Sequence, residues 1–527
     1  MTTRTPVLIC GGGPSGLAAA IELGRRGIEV TVVEPRTELD PLRARAKTTN
    51  IRTMEHLRRW GLADRLRAAS PLPVAYAQDV VFCTGMFGHE ITRFRNAFGL
   101  TVQRREEYAE PGQQVPQPVV ERVLREAAAD LPSVRLLLGR QVTAITDGPD
   151  EVRATVQTTA GESREIRADY LFGADGSSSL SRPAIGARYH GFSGTLPNLS
   201  VTFRCPALER SPLSDTAVHY WVIGAAVGGL LGRLDLDGTW WAIVQGIDDP
   251  AADPAALVRE LLGADVEVGV LATDPWSARM LLADRYRGQR VFLVGDAAHL
   301  NPPWGGHGFN TCVGDAVNLG WKLAAVLRGW APESLLDSYQ AERHPVAART
   351  IDAAGAQEQF LAPAFADADL ESDDALRAEL AHRLRVKTAE FHSLGLVLGY
   401  DYRDSPIVIA DGSPGPEPEL ETFTPSPHPG ARLPHAWLPD GHSLYDRLGP
   451  EFSLLILETN ADPTGLLSAA KRANVPMENL SLTDLPHLRN RYGAAMVIVR
   501  PDQHIAWRGD RIDDPNALLA KITGATS

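Results

Sequence analysis

VLICGGGPSGLAAAIELGRRGIEVTVVE, from Val7 to Glu34, decides the reading of this chain. The apolar run Val7 to Cys10 predicts a buried strand, and a glycine turn follows it. A helix from about Ser15 to Arg26 is stopped by Gly27, and Val30 to Val33 is a second strand. This βαβ unit carries the spacing GxGxxG at Gly11, Gly13 and Gly16. Gly11 permits the tight turn, Gly13 lets a pyrophosphate approach the backbone, and Gly16 lets helix and strand pack closely. Pro14 and Ser15 open the helix, whose free N–H groups face the phosphates. Glu34 ends the second strand, at the distance from which an acidic side chain accepts from ribose hydroxyls. A dinucleotide site is expected, with NAD and FAD both open at this point.

Two later motifs narrow the choice. In YLFGADGSSSLSR (Tyr170 to Arg182) a strand ends in a sharp turn that presents Asp175. In VFLVGDAAHLNPPWGGHGFN (Val291 to Asn310) an apolar strand delivers Asp296, and a glycine-rich loop then opens a helix. Such a loop offers backbone N–H groups and the positive end of a helix dipole. Those donors suit the N1 and C2 carbonyl edge of a flavin, which becomes anionic on reduction. The chain has only one GxGxxG, so a separate nicotinamide domain is not indicated.

These residues resemble the FAD-dependent aromatic hydroxylases, the single-component flavoprotein monooxygenases typified by phenol and para-hydroxybenzoate hydroxylases. The likeness spans about residues 5 to 350 and includes RARAKTTNIRTMEHLRRWG, QPVVERVLRE and YQAERHPVA. RPDQHIAWRG, near the C-terminus, resembles the thioredoxin-like domain of phenol hydroxylase and of antibiotic-pathway oxygenases, here without a CxxC. The resemblance implies FAD as cofactor, NADPH or NADH and O2 as co-substrates, and hydroxylation of a phenolic or polycyclic ring through a flavin C4a-hydroperoxide. It places Glu34 on the adenosine ribose, Arg45 and Gln117 on the phosphate and ribitol, Asp296 near the ribitol and pyrophosphate, and Asp175 in support of the cofactor. Pro303 would lie beside the reactive flavin carbon. The amides of Gly308, Phe309 and Asn310, with Gly306 in the same loop, would cradle the pyrimidine edge. Relatives often carry small residues and glutamine where this chain has Trp304 and His307, so both become candidates for the substrate pocket, each with plain packing as the alternative.

The remaining residues set the organisation. At 527 residues, two or three domains are expected. The fold class is α/β: a discontinuous FAD-binding domain over 1–189 and 286–400, with a mostly antiparallel substrate sheet at 190–285. A proline-rich linker at 401–430 and a thioredoxin-like domain at 431–527 complete it. LSVTFRC, AVHYWVIG, LLGRLD and TWWAIVQG are the strands of the inserted sheet. Trp221 and Arg233 are its candidate substrate residues, although alternation turns about half of its side chains away. A long helical stretch from Asp315 to about Leu398 is expected to break at Pro332, Pro345 and Pro363.

The net charge of −13 argues against nucleic-acid and membrane partners. Cys10, Cys83, Cys205 and Cys312 are far apart and suggest neither disulfide nor metal site, so a cytoplasmic protein is expected. Oligomeric state is open, with a homodimer as the candidate assembly. Two rivals stay in play: Baeyer–Villiger insertion or epoxidation by the same flavin chemistry, and an FAD-containing binding protein that shelters a reactive intermediate.

Overall fold

The computed structural model describes residues 3–223, 227–249 and 251–525; Gly224, the last residue of the expected AVHYWVIG strand, lies outside them. Val7, Leu8 and Ile9 are fully buried because their strand, Thr3–Cys10, runs through the middle of a sheet covered on both faces. Five strands of that sheet are parallel, in the order Val134–Leu138, Val30–Glu34, Thr3–Cys10, Ser163–Gly173, Val291–Leu293. The antiparallel strands Val152–Thr158 and Arg140–Asp147 extend it from the first half of Ser163–Gly173. The register aligns Cys10 with Val33 and Gly173, and Gly173 with Leu293. All three motif loops therefore leave the sheet side by side, at the carboxyl ends where open α/β sheets bind ligands. The helix Pro14–Gly24 packs between the helices Gln117–Ala129 and Gly308–Leu327.

The second sheet has eight strands, in the order His299–Leu300, Gly269–Ala283, Tyr189–Arg204, Thr239–Gln245, Gly228–Arg233, His219–Ile223, Val80–Cys83, Glu90–Phe94. It is not confined to residues 190–285. Val80–Cys83 pairs in parallel with His219–Ile223, and His299–Leu300 pairs with Gly269–Ala283. The inserted strands leave the edge at His219–Ile223 open, and the buried apolar run Val80–Cys83 from the first third of the chain closes it.

One further expectation changes. Pro345 does not break its helix, which runs unbroken over Ser338–Gly355. The linker 401–430 forms no strand or helix but packs against the body: Tyr402, Ile407, Val408 and His428 are buried, and Ile409 donates its amide to the carbonyl of Ala506. Beyond it, a parallel pair, Phe452–Ile456 with Met477–Ser481, continues into antiparallel Met496–Val499 and Ile505–Gly509. With the helices Thr464–Arg472, Pro486–Tyr492 and Pro515–Ile522, this is the βαβαββα order of a thioredoxin-like unit.

That unit docks on the helix Gly308–Leu327 through one apolar cluster, in which Trp321 and Trp330 meet Phe452, Leu454, Met496, Ile498 and Ile522. Beside the cluster lies a buried charge network. Glu342 accepts two bonds of 2.7 Å from Arg500, one of 2.6 Å from Lys322 and one of 2.5 Å from Ser405. Arg500 also bonds Asp502, and Arg52 donates to the carbonyl of Asp502 at 2.6 Å. Burial pushes the Glu342 carboxyl up, but Arg500 and Lys322 outweigh it and hold it at about 2. A carboxyl held below its ordinary value of 4.5 contributes stability above that pH, and the contribution is lost as pH falls toward about 2. Glu342→Gln leaves Arg500 and Lys322 underpaired and is expected to destabilise the protein by about 3–5 kcal/mol. Guanidinium unfolding at pH 7 and at pH 3.5 checks both points: the variant should lose less stability on acidification than the parent.

Candidate active site

The three loops are held together by backbone contact. Gly11 has φ of +99°, and a Cβ there would run into the carbonyl oxygen of Ala174; a Cβ on Gly16 would run into the carbonyl of Gly11. The amide of Ala174 in turn bonds the carbonyl of Cys10 at 2.9 Å. The third loop closes on the first, since Gly295 lies against Ser15 and Cys312. Asp315, fully buried, braces this junction: it accepts from the Gly295 amide at 3.2 Å, meets His299 at 2.7 Å and pairs with Arg343 at 2.8 Å. Burial alone would push the Asp315 carboxyl up, but His299 and Arg343 hold it below the usual range. His299 is raised above its ordinary value, because Asp315 outweighs the burial that lowers it.

The loops open onto a cavity of about 1380 Å3. Single-ligand pockets run roughly 300–1,000 Å3, so this one has room for a dinucleotide and a second molecule. Gly11, Gly13, Pro14, Ser15, Glu34, Arg45, Gln117, Asp175, Asp296, Pro303, Gly306, Gly308 and Phe309 line it, with Trp221 and Trp304. Nothing lies within 4 Å of the space a Cβ on Gly13 would take, and no side chain caps the helices that start at Pro14 and Gly308. Their first-turn amides are left for a ligand. The Glu34 carboxylate is already positioned by the Gly12 amide at 2.7 Å and by Arg36. Arg45 is exposed in the cavity, and among the described residues no carboxylate pairs with it. A large cleft with open helix ends, one free guanidinium and the carboxylates of Glu34 and Asp296 in its wall fits an FAD.

Several expected residues engage the protein itself. Asp175 spends both carboxylate oxygens on its own turn, accepting from Ser179, Leu180 and Ser181, so it shapes the loop rather than offering a free acid. Gln117 ties the amide of Ala46 to Glu121. Asn310 is not among the residues lining the cavity. Its side chain bonds the Asn50 amide and the carbonyls of Thr48 and Gly306, which locks the loop onto the segment 48–50. His307 is also buried outside the cavity wall, and burial pushes its imidazole down to about 4.

Arg233 is a correction. It lies opposite Trp240 on the outer face of the sheet, 4.7 Å from that ring, and pairs with Glu209 at 2.9 Å and Asp215 at 2.7 Å. Alternation puts Trp221, Trp241 and Ile243 on the cavity side, and Tyr220 and Trp240 in a separate cluster behind.

The cavity side is an aromatic chamber. Trp304 stands 6.3 Å from both Trp221 and Trp276, and Trp241 meets His219 at 5.0 Å. Burial holds the His219 imidazole down at about 3, so it is neutral at pH 7. Sequence reasoning missed Lys47, Phe98, Trp276 and Glu390 in this wall. Lys47 had one usable signal, being one of five lysines in a chain with 47 arginines. The others come from distant segments that carry no motif.

The chain matches the family model for an FAD binding domain over residues 4–354, and that for the C-terminal part of aromatic-ring hydroxylases over 426–525. It is 32% identical to 4-methyl-5-nitrocatechol 5-monooxygenase of Burkholderia sp., over 98% of this chain and 96% of that one. The structure of the rebeccamycin biosynthetic enzyme RebC with reduced flavin is 34% identical, covers 100% of both chains and superposes with a TM-score of 0.91. The complex of aklavinone-11 hydroxylase with FAD and aklavinone is 27% identical over 99% of each chain, with a TM-score of 0.83.

Two variants test the site. The only described partner of the Asp296 carboxylate is the Cys312 thiol at 3.5 Å, which leaves that acid free for a ligand. Asp296→Ala is expected to weaken FAD binding about tenfold, close to 1.4 kcal/mol. Fluorescence titration of FAD into apoprotein measures this, and an unchanged affinity removes Asp296 from the site. Arg233→Met should leave FAD and ligand binding as they are; weaker ligand binding by the folded variant would put Arg233 back in the pocket.

Proposed function

From its place in the FAD-dependent aromatic-ring hydroxylase family, to which this chain belongs, we propose that this FAD-dependent monooxygenase hydroxylates an aromatic or polycyclic substrate in the tryptophan-walled chamber. One observation carries the reading. The chamber of Trp221, Trp241, Trp276, Trp304, Phe98 and Ile243 is continuous with the loop Pro303–Phe309 and with the cleft over Gly13. A flat ring held there lies next to the loop that would carry the flavin.

FAD supplies hydride acceptance from NADPH or NADH and activation of O2. The protein's contribution is position, polarity and dryness. Gly308 and Phe309 present first-turn amides where negative charge gathers, and the helix Gly308–Leu327 adds its dipole. Asn310 holds that loop to Thr48 and Asn50, and Asp315 with His299 holds its other end. Trp304 and Trp221 exclude water from the ring's surroundings, which protects a reactive oxygenating species from wasteful decay. Both histidines near the chamber, His219 and His307, are kept neutral by burial, so neither supplies positive charge to the substrate at neutral pH. The four cysteines are free and buried, which fits a reducing compartment. No helix among the described residues is long and apolar enough to cross a membrane.

Anaerobic stopped-flow absorbance with NADPH and then NADH, across a panel of phenolic and polycyclic ligands, tests the reading. Flavin reduction should accelerate at least tenfold with a ligand of the right class, and the aerobic product should carry a new ring hydroxyl. Oxygen inserted into a carbon–carbon bond would support the Baeyer–Villiger alternative, and no acceleration with any ligand would support a sheltering role. Trp304→Ala opens the wall, so the share of NAD(P)H oxidation that ends in hydrogen peroxide should rise several-fold while FAD content stays normal. An unchanged share would remove Trp304 from the water barrier.

A further inference from the structure

Two charged groups in the chamber wall are explained by neither the cofactor motifs nor the aromatic wall: Glu390, which is paired with Lys387, and Lys47. Lys47 lines the cavity with its ammonium 4.2 Å from the centroid of the Trp241 ring, and it donates to the carbonyl of Arg45 at 2.9 Å. Among the described residues, no carboxylate lies within ion-pair distance of it. The two fully buried lysines differ: Lys322 is paired with Glu342, and Lys387 with Glu390. Lys47 is half-buried, and a partly desolvated ammonium without a charged partner is costly, with three donors to satisfy. Lys47 uses one donor on a carbonyl and rests on an aromatic face. Its other donors have no partner among the described residues, and Lys47 lines the cavity.

Its position fits that use. The next residue, Thr48, lies against Gly306 of the glycine loop, and Trp241 belongs to the substrate sheet, so Lys47 stands where cofactor loop and chamber meet. Resting on the reading of the chamber as an aromatic-substrate site, we propose that Lys47 recognises an anionic oxygen on the substrate, a ring carboxylate or an ionised phenol. Gln117, in the same wall, is occupied with the amide of Ala46.

Few titratable groups compete for this role. His219, on the strand across the chamber, is neutral, and its Nε2 lies 3.1 Å from Gln114 Nε2. Glu390 is committed to Lys387, and Asp274 at the rim to Arg43. Arg45, on Lys47's own segment, offers Lys47 only its carbonyl. Burial holds the Lys47 amine down at about 7. Attraction for an anion should therefore be full only at acidic pH, well below about 7, and weaken as pH rises through that value and the free amine loses its proton.

The test uses the full-length FAD-loaded protein, with flavin absorbance as the readout. Probes are 2-naphthoate, its neutral isostere 2-naphthamide, and 4-nitrophenol, whose yellow phenolate band reports ionisation. At pH 6 the parent should bind 2-naphthoate at least tenfold more tightly than 2-naphthamide, or bind 4-nitrophenol as its phenolate. The first result identifies the anion as a carboxylate, and the second as a phenolate. Lys47→Met should abolish the preference while keeping FAD content and 2-naphthamide affinity. Lys47→Arg should keep the preference and lose its dependence on pH between 6 and 9.

Equal binding of all probes by the parent, or a preference that survives in Lys47→Met, overturns the inference and leaves the aromatic-site reading standing. Loss of FAD from Lys47→Met also overturns it, by assigning the residue to the cofactor. Failure of the parent to bind any of the probes removes the aromatic-site reading, and the inference with it.

Discussion

The backbone of Gly11 touches the backbone of Ala174, and the site depends on that contact. It exists because two strands far apart in sequence, Thr3–Cys10 and Ser163–Gly173, lie side by side in parallel with Cys10 opposite Gly173. The same register carries the third strand, Val291–Leu293, to Gly173, so that Gly295 comes down on Ser15. Each loop alone is a turn with unsatisfied amides. Together they line one cleft, and any side chain at Gly11 would hold them apart.

The helix Gly308–Leu327 transmits this arrangement to the rest of the molecule. Its first turn faces the cavity, and its side packs on the helix Pro14–Gly24. Trp321, further along, forms the seat of the thioredoxin-like unit. The unit holds no cysteine, and its buried Arg500 and Asp502 reach Glu342, Arg52 and Trp321. A charge network of this kind is weak evidence for net stability, because desolvation offsets much of the attraction. It does make docking directional. Arg500 has its carboxylates in one seating only, and that seating backs the helix carrying the glycine loop.

The chamber shows how apolar walls set chemistry. Burial drives His219 and His307 neutral, and it lowers the amine of Lys47 into the range of neutral pH. Few charges remain near a bound ring. An ammonium over Trp241 in such surroundings acts on its neighbours through a low local dielectric, where it counts for more than the many arginines on the surface.

Much of this was legible in the chain itself. The spacing of Gly11, Gly13, Gly16 and Glu34, the turn at Asp175 and the loop after Asp296 are local patterns, because strand, turn and helix entry are set by neighbouring residues. The class of fold, the cofactor and the approximate strands followed from them. Which face a side chain takes did not. Trp221 and Arg233 looked alike in sequence, and only the pairing of Arg233 with Trp240 puts it behind the sheet. Propensity alone puts a break at Pro345 and shows only an extended linker at 401–430, because it cannot see the packing that holds Ser338–Gly355 helical and buries Tyr402 and Ile407. Val80–Cys83 pairs with His219–Ile223, a strand far along the chain, and Lys47 meets Trp241 across a similar separation. Local pattern determined the cofactor site; long-range register and burial decided the substrate chamber, because contacts between distant segments exist only after the chain has folded.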